Sequence, residues 1–401
     1  MRVPFFRPSL TEEEITAVTD CLRSGWLTTG PITRDFEQKF AEYVGARYAV
    51  AVNSCTAALH LALEAIGLQR GELVLVPTMT FAATAEVVRY FDAIPVFVDC
   101  DEATMCISPV ALRKTLESIT ASKAVSGLAP PFSRVRAVIP MHYGGQMVDV
   151  AAIRAIADEF GIAVIDDAAH TLPARFRENE SAAWRSVGTT ADITCFSFYA
   201  NKCITTGEGG MAVTDNEEFA DRMRLMSLHG LSKDAWKRYT SARSWYYEVV
   251  APGFKYNLTD IASALGRAQL TRANALWQQR RALAERYAAA LVRVPGVGLP
   301  VEISNREHSW HLFSIRLDLD VWRQGRNAVI EQLKEAGVAT SVHWQPLHLQ
   351  PYYREAYGLA PGMFPIAESL WPRLISLPMF PGMTDEEVDV VVNALLALVD
   401  R

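Results

Sequence analysis

A single lysine, Lys202, stands in the stretch CFSFYANKCITTGEGG, residues 195–210, between an apolar run and a loop rich in Thr and Gly. An amine there has three readings: a solvated surface charge, a clamp for a phosphate, or a covalent catalyst. Other residues that follow apolar runs bear on the choice. In VIDDAAH, Asp166, Asp167 and His170 come at the end of one such run. Two carboxylates in that place are costly without partners. They read as metal ligands, with Asp and His at i and i+3 on one helix face, or as a carboxylate gripping a protonated ring nitrogen.

Ser54, Cys55, Thr56 and Ala57 follow another run and open a helical pattern. That is an ordinary N-cap or a seat for a phosphate, built from free backbone N–H groups and a hydroxyl. Phe81, in PTMTF, is core filler or a platform for a planar ligand. Ser197 lies just ahead of Lys202. The set as a whole has one chemistry in common. Pyridoxal phosphate needs a lysine for a Schiff base, an acid for its pyridinium nitrogen, and hydroxyls with a helix start for its phosphate. On that reading the amine of Lys202 is covalent and also carries a proton between two carbons.

The elements that must position these residues are legible as seven apolar runs: 47–53, 73–77, 94–99, 135–141, 162–166, 193–198 and 210–215. Helical or loop segments separate most of them. Continuous apolar runs alternating with helices predict a mostly parallel sheet covered on both faces, with right-handed crossovers. Ligands of such sheets bind at the carboxyl ends of the strands. Thr11 with Glu14, and Thr384 with Glu387, mark capped helices. Residues 259–292 read as one or two long helices, and 311–319 as a strand. The expected architecture is α/β: a large cofactor-binding domain over 1–254 with a seven-stranded sheet between helices, and a smaller α+β domain over 255–401. Residues 121–134 resemble a flexible insertion.

The 401 residues carry a net charge of -6, with half of the chain apolar. No basic surplus exists to neutralise nucleic-acid or membrane phosphates. No stretch approaches about 18 uncharged apolar residues, so no transmembrane helix is expected. The N-terminus lacks the pattern of a signal peptide. The six cysteines are scattered without a CxxC pair, which suggests reduced thiols in a cytoplasm and no metal site.

Five motifs in order carry a resemblance: NSCTAALHLAL, VPTMTFAATAEVV, VIDDAAH, SFYANKCITTGEGG and YNLTDIASALGRAQL. With the flanking segments 25–46 and 376–392, the chain resembles the DegT/DnrJ/EryC1/StrS sugar-nucleotide aminotransferases, pyridoxal-phosphate enzymes of fold type I. The resemblance implies that Lys202 forms the internal aldimine, Asp167 pairs with the pyridine nitrogen, and Phe81 stacks on the ring. It places Ser54, Cys55, Thr56, Ala57 and Ser197 at the phosphate, with Asn257 reaching the phosphate of a partner subunit in a homodimer with shared sites. His170 stands where the family usually has Gln, near the ring hydroxyl, which makes that contact titratable. Cys55 replaces the usual Gly.

Thr28, Thr29, His229, Lys255, His343 and His348 are candidates for the nucleotide-linked sugar. Packed-loop or surface roles stand beside that reading for the histidines and for Lys255. The implied reaction moves an amino group from glutamate to a UDP- or dTDP-linked 4-keto sugar, a pentose or 6-deoxyhexose. Segments 229–260 and 342–355 are most similar to C4-acting relatives, and Trp26, Trp344 and Tyr246 could narrow the sugar pocket. A 3-keto substrate, a sugar dehydratase and a regulatory protein on the same scaffold are the alternatives. Retention of Lys202 favours transamination.

Overall fold

The computed structural model describes residues 1–231 and 247–399. Its centre is a seven-stranded sheet of β1 (Tyr48–Val52), β2 (Leu73–Pro77), β3 (Ile94–Val98), β4 (Val135–Val138), β5 (Ala163–Asp167), β8 (Ile193–Ser197) and β9 (Gly210–Thr214). A two-stranded ribbon, β6 (Arg175–Phe176) with β7 (Arg185–Ser186), interrupts the series. The sheet order is β1-β9-β8-β5-β4-β2-β3. Neighbours are parallel except that β9 runs antiparallel to both β1 and β8. Six of the seven strands match their apolar runs to within a residue, because strands buried on both faces need no polar alternation; β4 lies inside its run but stops three residues short of 141. The carboxyl ends of β1, β2, β5 and β8 share one edge.

Helices α1 (Glu12–Ser24), α2 (Pro31–Val44), α3 (Cys55–Ala65), α4 (Ala82–Arg89), α5 (Pro109–Thr120), α6 (Val150–Phe160) and α7 (Glu217–Ser227) belong to this part of the chain. The Thr11 capping box forms, with the Thr11 N–H donating to Glu14 Oε2 at 2.7 Å. Helix α8 (Asp260–Leu291) is continuous over 32 residues, about 48 Å at 1.5 Å per residue. Beyond it lie β10 (Val297–Gly298), β11 (Phe313–Leu317) and β12 (Leu374–Leu377), an antiparallel sheet. Helices α9 (Gly325–Glu335), α10 (Pro351–Tyr357), α11 (Pro365–Leu370) and α12 (Asp385–Val399) complete the fold. The last begins as expected, with the N–H of Glu387 donating to Thr384 Oγ1 at 3.2 Å.

Two apolar clusters form the core. The larger one covers the seven-stranded sheet and takes in Leu270, Ala273 and Leu276 of α8, together with Leu347, Tyr353 and Leu370. The smaller one starts at Leu283 and Tyr287 of the same helix and includes Ile315, Ile375, Val391 and the N-terminal Val3. One long helix therefore serves both clusters. The segment 121–134 is tied down at Ser126, whose hydroxyl donates to the carbonyl of Phe97 at 2.9 Å.

Candidate active site

The chain leaves β1 and turns directly into α3. Ser54 is the N-cap, its Oγ accepting the N–H of Ala57 at 3.1 Å. The other N–H groups of this first turn have no intrahelical acceptor, so they face outward with the positive end of the helix dipole. Behind them runs the start of β9. A Cβ on Gly210 would lie 2.5 Å from the Ser54 carbonyl carbon and 2.6 Å from the Cys55 nitrogen. Only a residue without a side chain lets the strand approach the helix start so closely. Cys55, which stands where the resemblance has Gly, is buried. Burial first, and then the charge of Asp167, push its thiol well above the usual range.

The turn between β2 and α4 presents two faces. Phe81, at the N-cap of α4, is 57% exposed, which places it on the surface and outside the core. Its ring is 6.2 Å from that of Trp344. Inside, the buried Thr80 and Thr84 hydroxyls lie 2.7 Å apart, and Thr84 donates to Asp167 Oδ2 at 2.7 Å.

Asp166 and Asp167, adjacent on β5, take opposite faces of the strand. Asp166 accepts the hydroxyl of Thr190 and lies 3.4 Å from His142 Nε2, so it is absorbed into packing. Asp167 receives the Thr84 hydroxyl on one oxygen and the Ala169 N–H at 3.1 Å on the other. Burial raises its pKa, while Thr84, the Ala169 N–H, Lys202 and His142 oppose the rise.

Lys202, in the loop after β8, is partly buried, and its amine makes no hydrogen bond or ion pair among the described residues. Burial pulls its pKa down to about 8, against upward pulls from Cys55, Asp167 and Cys203. Ser197 ends β8 and accepts the N–H of Tyr199 at 3.3 Å.

His170 departs from expectation. The sequence suggests a titratable contact, but burial, with Lys202, His311 and His343 as further causes, holds its pKa well below the usual imidazole range. The ring stays neutral. Its Nδ1 accepts the N–H of Gly144 at 3.2 Å, so the hydrogen sits on Nε2.

The remaining candidates divide. Trp344 comes to the site, its ring 5.2 Å from His170 and 5.8 Å from Tyr143. His343 precedes it, with Nδ1 2.7 Å from Ser376 Oγ. His348 does not join them. It is buried, with Nδ1 2.6 Å from Thr78 Oγ1 and Nε2 3.0 Å from Glu368 Oε1, so both ring nitrogens are committed to packing.

His229 and Lys255 are exposed on neighbouring paired segments, Leu228 bridging Lys255. Lys255 reaches Asn257 Oδ1, and Asn257 Nδ2 donates to Thr29 Oγ1 at 2.6 Å. Asn257 also bridges Val52 at the end of β1. The carbonyl of Thr28 accepts the N–H of Asp260 at 3.2 Å. Thr29 and Asn257 border a cleft of about 890 Å³ between α2, β1 and α7 that includes neither Lys202 nor Asp167 in its wall. Trp26 Nε1 lies 3.4 Å from the carbonyl of Thr29. Tyr246, and 232–239 of the 229–239 motif, lie outside the described residues. Among the described residues, no three His, Cys, Asp or Glu side chains converge as a metal site.

Thr84 and Gly210 are site residues that the sequence does not single out. Each sits inside a conspicuous motif, but a threonine in a helix and a glycine opening a strand carry no local mark of what they touch.

The sheet order and the amine–carboxylate pair at its carboxyl edge place the chain among the fold-type-I pyridoxal-phosphate enzymes. A model of the DegT/DnrJ/EryC1/StrS aminotransferase family matches residues 8–396, and the chain belongs to that family. It is 42% identical over 398 residues to the spore coat polysaccharide biosynthesis protein SpsC of Bacillus subtilis, covering 99% of this chain and 97% of that protein. Among solved structures, the putative sugar aminotransferase Spr1654 from Streptococcus pneumoniae, in its PLP form, superposes with a TM-score of 0.86 at 30% identity. That match covers 100% of this chain and 99% of the other. Helicobacter pylori PseC, an aminotransferase involved in the biosynthesis of pseudoaminic acid, gives a TM-score of 0.87 at 26% identity over 100% of both chains.

Proposed function

We propose that this sugar aminotransferase moves an amino group from glutamate to C4 of a UDP- or dTDP-linked keto sugar, a pentose or 6-deoxyhexose, as a homodimer with shared active sites. The observation that carries the reading is the partly buried amine of Lys202, which makes no hydrogen bond or ion pair among the described residues and feels the charge of the buried carboxylate of Asp167. The residues fit pyridoxal phosphate, which, when bound, supplies an electron sink for breaking a C–H bond next to nitrogen.

The chain's own groups do the rest. With a pKa of about 8, roughly a tenth of the Lys202 amine is neutral at pH 7, against about one part in three thousand for an ordinary lysine. It can act as nucleophile and proton carrier near neutrality. Asp167, as an anion, would keep the cofactor's ring nitrogen protonated. His170, its hydrogen fixed on Nε2, would donate to the ring hydroxyl. Phe81 would cover the ring. Ser54, Cys55, Thr56, Ala57 and Ser197 would offer N–H and O–H groups to the phosphate, and Asn257 would reach the partner's phosphate. Thr28, Thr29, His229, Lys255 and His343 supply polar contacts to the sugar nucleotide. Trp344, packed between Phe81 and His170, supports a narrow sugar pocket.

Purified protein with glutamate and a panel of 4-keto and 3-keto sugar nucleotides, read by mass spectrometry and NMR, tests this. A product with nitrogen on C4 is expected. Nitrogen on C3 would overturn the regiochemistry alone, and loss of oxygen without gain of nitrogen would point to a dehydratase.

A further inference from the structure

The turn PTMTFAAT, residues 77–84, places Phe81 outside and two hydroxyls inside. The directions of the inner hydrogen bonds follow from chemistry. An ionised Asp167 can only accept, so Thr84 gives its hydrogen to Oδ2 at 2.7 Å. The oxygen of Thr84 is then free to accept, and Thr80, 2.7 Å away, donates to it. The chain Thr80 to Thr84 to Asp167 is buried throughout, at 1%, 0% and 4% exposure, where hydrogen bonds strengthen one another. The Ala169 N–H holds the other carboxylate oxygen.

We propose that Thr84, backed by Thr80, is a positioning residue for Asp167, orienting the carboxylate toward the ring nitrogen of the cofactor. This rests on the reading of the site given above. The turn is itself anchored from the C-terminal part of the chain. Leu347 N–H donates to the Thr78 carbonyl at 2.8 Å, and the Thr78 hydroxyl meets His348, which leans on Glu368. The packing role of His348 thus has a purpose: it fixes the turn that fixes the acid.

Other groups also act on Asp167. Lys202 and His142 hold its pKa down, whereas Asp167 raises the pKa values of the buried thiols Cys55 and Cys195. Removing the Thr84 hydroxyl raises Asp167 further, so its anion is lost at higher pH as the pH falls.

The test compares Thr84→Val, Thr84→Ser and Asp167→Asn, alone and combined. Thr84→Val should weaken cofactor binding to the apo-protein about 10- to 100-fold, the range for a lost charge-assisted hydrogen bond. It should also move the acid limb of the kcat/KM profile upward by about one pH unit, or more. Thr84→Ser should restore both within a few-fold. Adding Thr84→Val to Asp167→Asn should change little, since the two act through one group. Unchanged affinity and pH profile in Thr84→Val, while Asp167→Asn is impaired, would overturn the inference. A harmless Asp167→Asn would instead overturn the site reading. Should Thr84→Val fail to fold, Thr84→Ala is read the same way, against the same Thr84→Ser rescue.

Discussion

Replacing Lys202 by methionine should abolish transamination and, in the cofactor-free protein, stabilise the fold. The amine titrates at about 8 when folded, against 10.5 when unfolded. A folded pKa below the unfolded one means that the folded state resists protonation. The cost is therefore full below pH 8, declines between 8 and 10.5, and is gone above 10.5. At about 1.36 kcal/mol per unit the gap is worth about 3 kcal/mol at pH 7. Methionine has a stem of similar length, fills the same space and carries no charge. Urea unfolding of both cofactor-free proteins, at one protein concentration, should show Lys202→Met more stable at pH 7 by up to that amount, through a higher midpoint at unchanged slope. At pH 10.5 the difference should close. A variant less stable at pH 7, or a gain equal at both pH values, would refute the argument that burial of this amine is held against folding. Added cofactor should reverse the ranking, because only wild type captures it through the lysine.

Asp167→Asn should lower kcat at least 100-fold, whereas Asp166→Asn should mainly cost stability, about 1–3 kcal/mol by chemical unfolding, since Asp166 serves Thr190 and His142. Equal losses in kcat would disprove the division of roles. Gly210→Ala should loosen pyridoxal phosphate about tenfold, read by fluorescence titration of the apo-protein, because the added methyl meets the Ser54–Cys55 backbone and must displace the start of α3. Unchanged affinity would mean that the strand gives way instead. A mixed dimer of Lys202→Ala and Asn257→Ala subunits should recover part of the activity that each homodimer lacks, as one of its two sites is intact. No recovery would place Asn257 in its own subunit's site.

The fold was legible where burial dictates composition. Strands such as LVLVP, 73–77, are apolar throughout because helices cover both faces, and pattern alone located them. The direction of β9 was not legible. Antiparallel and parallel neighbours in a buried sheet share one composition, and only the pairing distinguishes them. The same limit separates the parts of the site. Lys202, Asp167 and the Ser54 cap follow strands in chain order, so the rule for strand ends is enough to bring them together. His170 could be located but not its charge state, which depends on burial first and then on Lys202, His311 and His343 arriving from distant parts of the chain. His348, a plausible ligand by residue type, turns out to be a strut, because Thr78 and Glu368 meet it from 270 residues before and 20 residues after.

These features share a cause. A site that brings together an amine with a lowered pKa, a carboxylate and a neutral imidazole cannot leave any of them to solvent. Each state is set by something the chain had to bring from elsewhere: burial for the amine of Lys202, the Thr80–Thr84 hydroxyls for Asp167, burial for the neutral ring of His170 and the Gly144 N–H for its tautomer. The acid is the most exposed to failure, since burial favours its neutral form and a neutral acid cannot hold a ring nitrogen protonated. That is why its support is doubled, with a hydroxyl on one oxygen and a backbone N–H on the other. It is also why the turn carrying the hydroxyl is braced through Thr78 and His348 by a segment beyond the sheet.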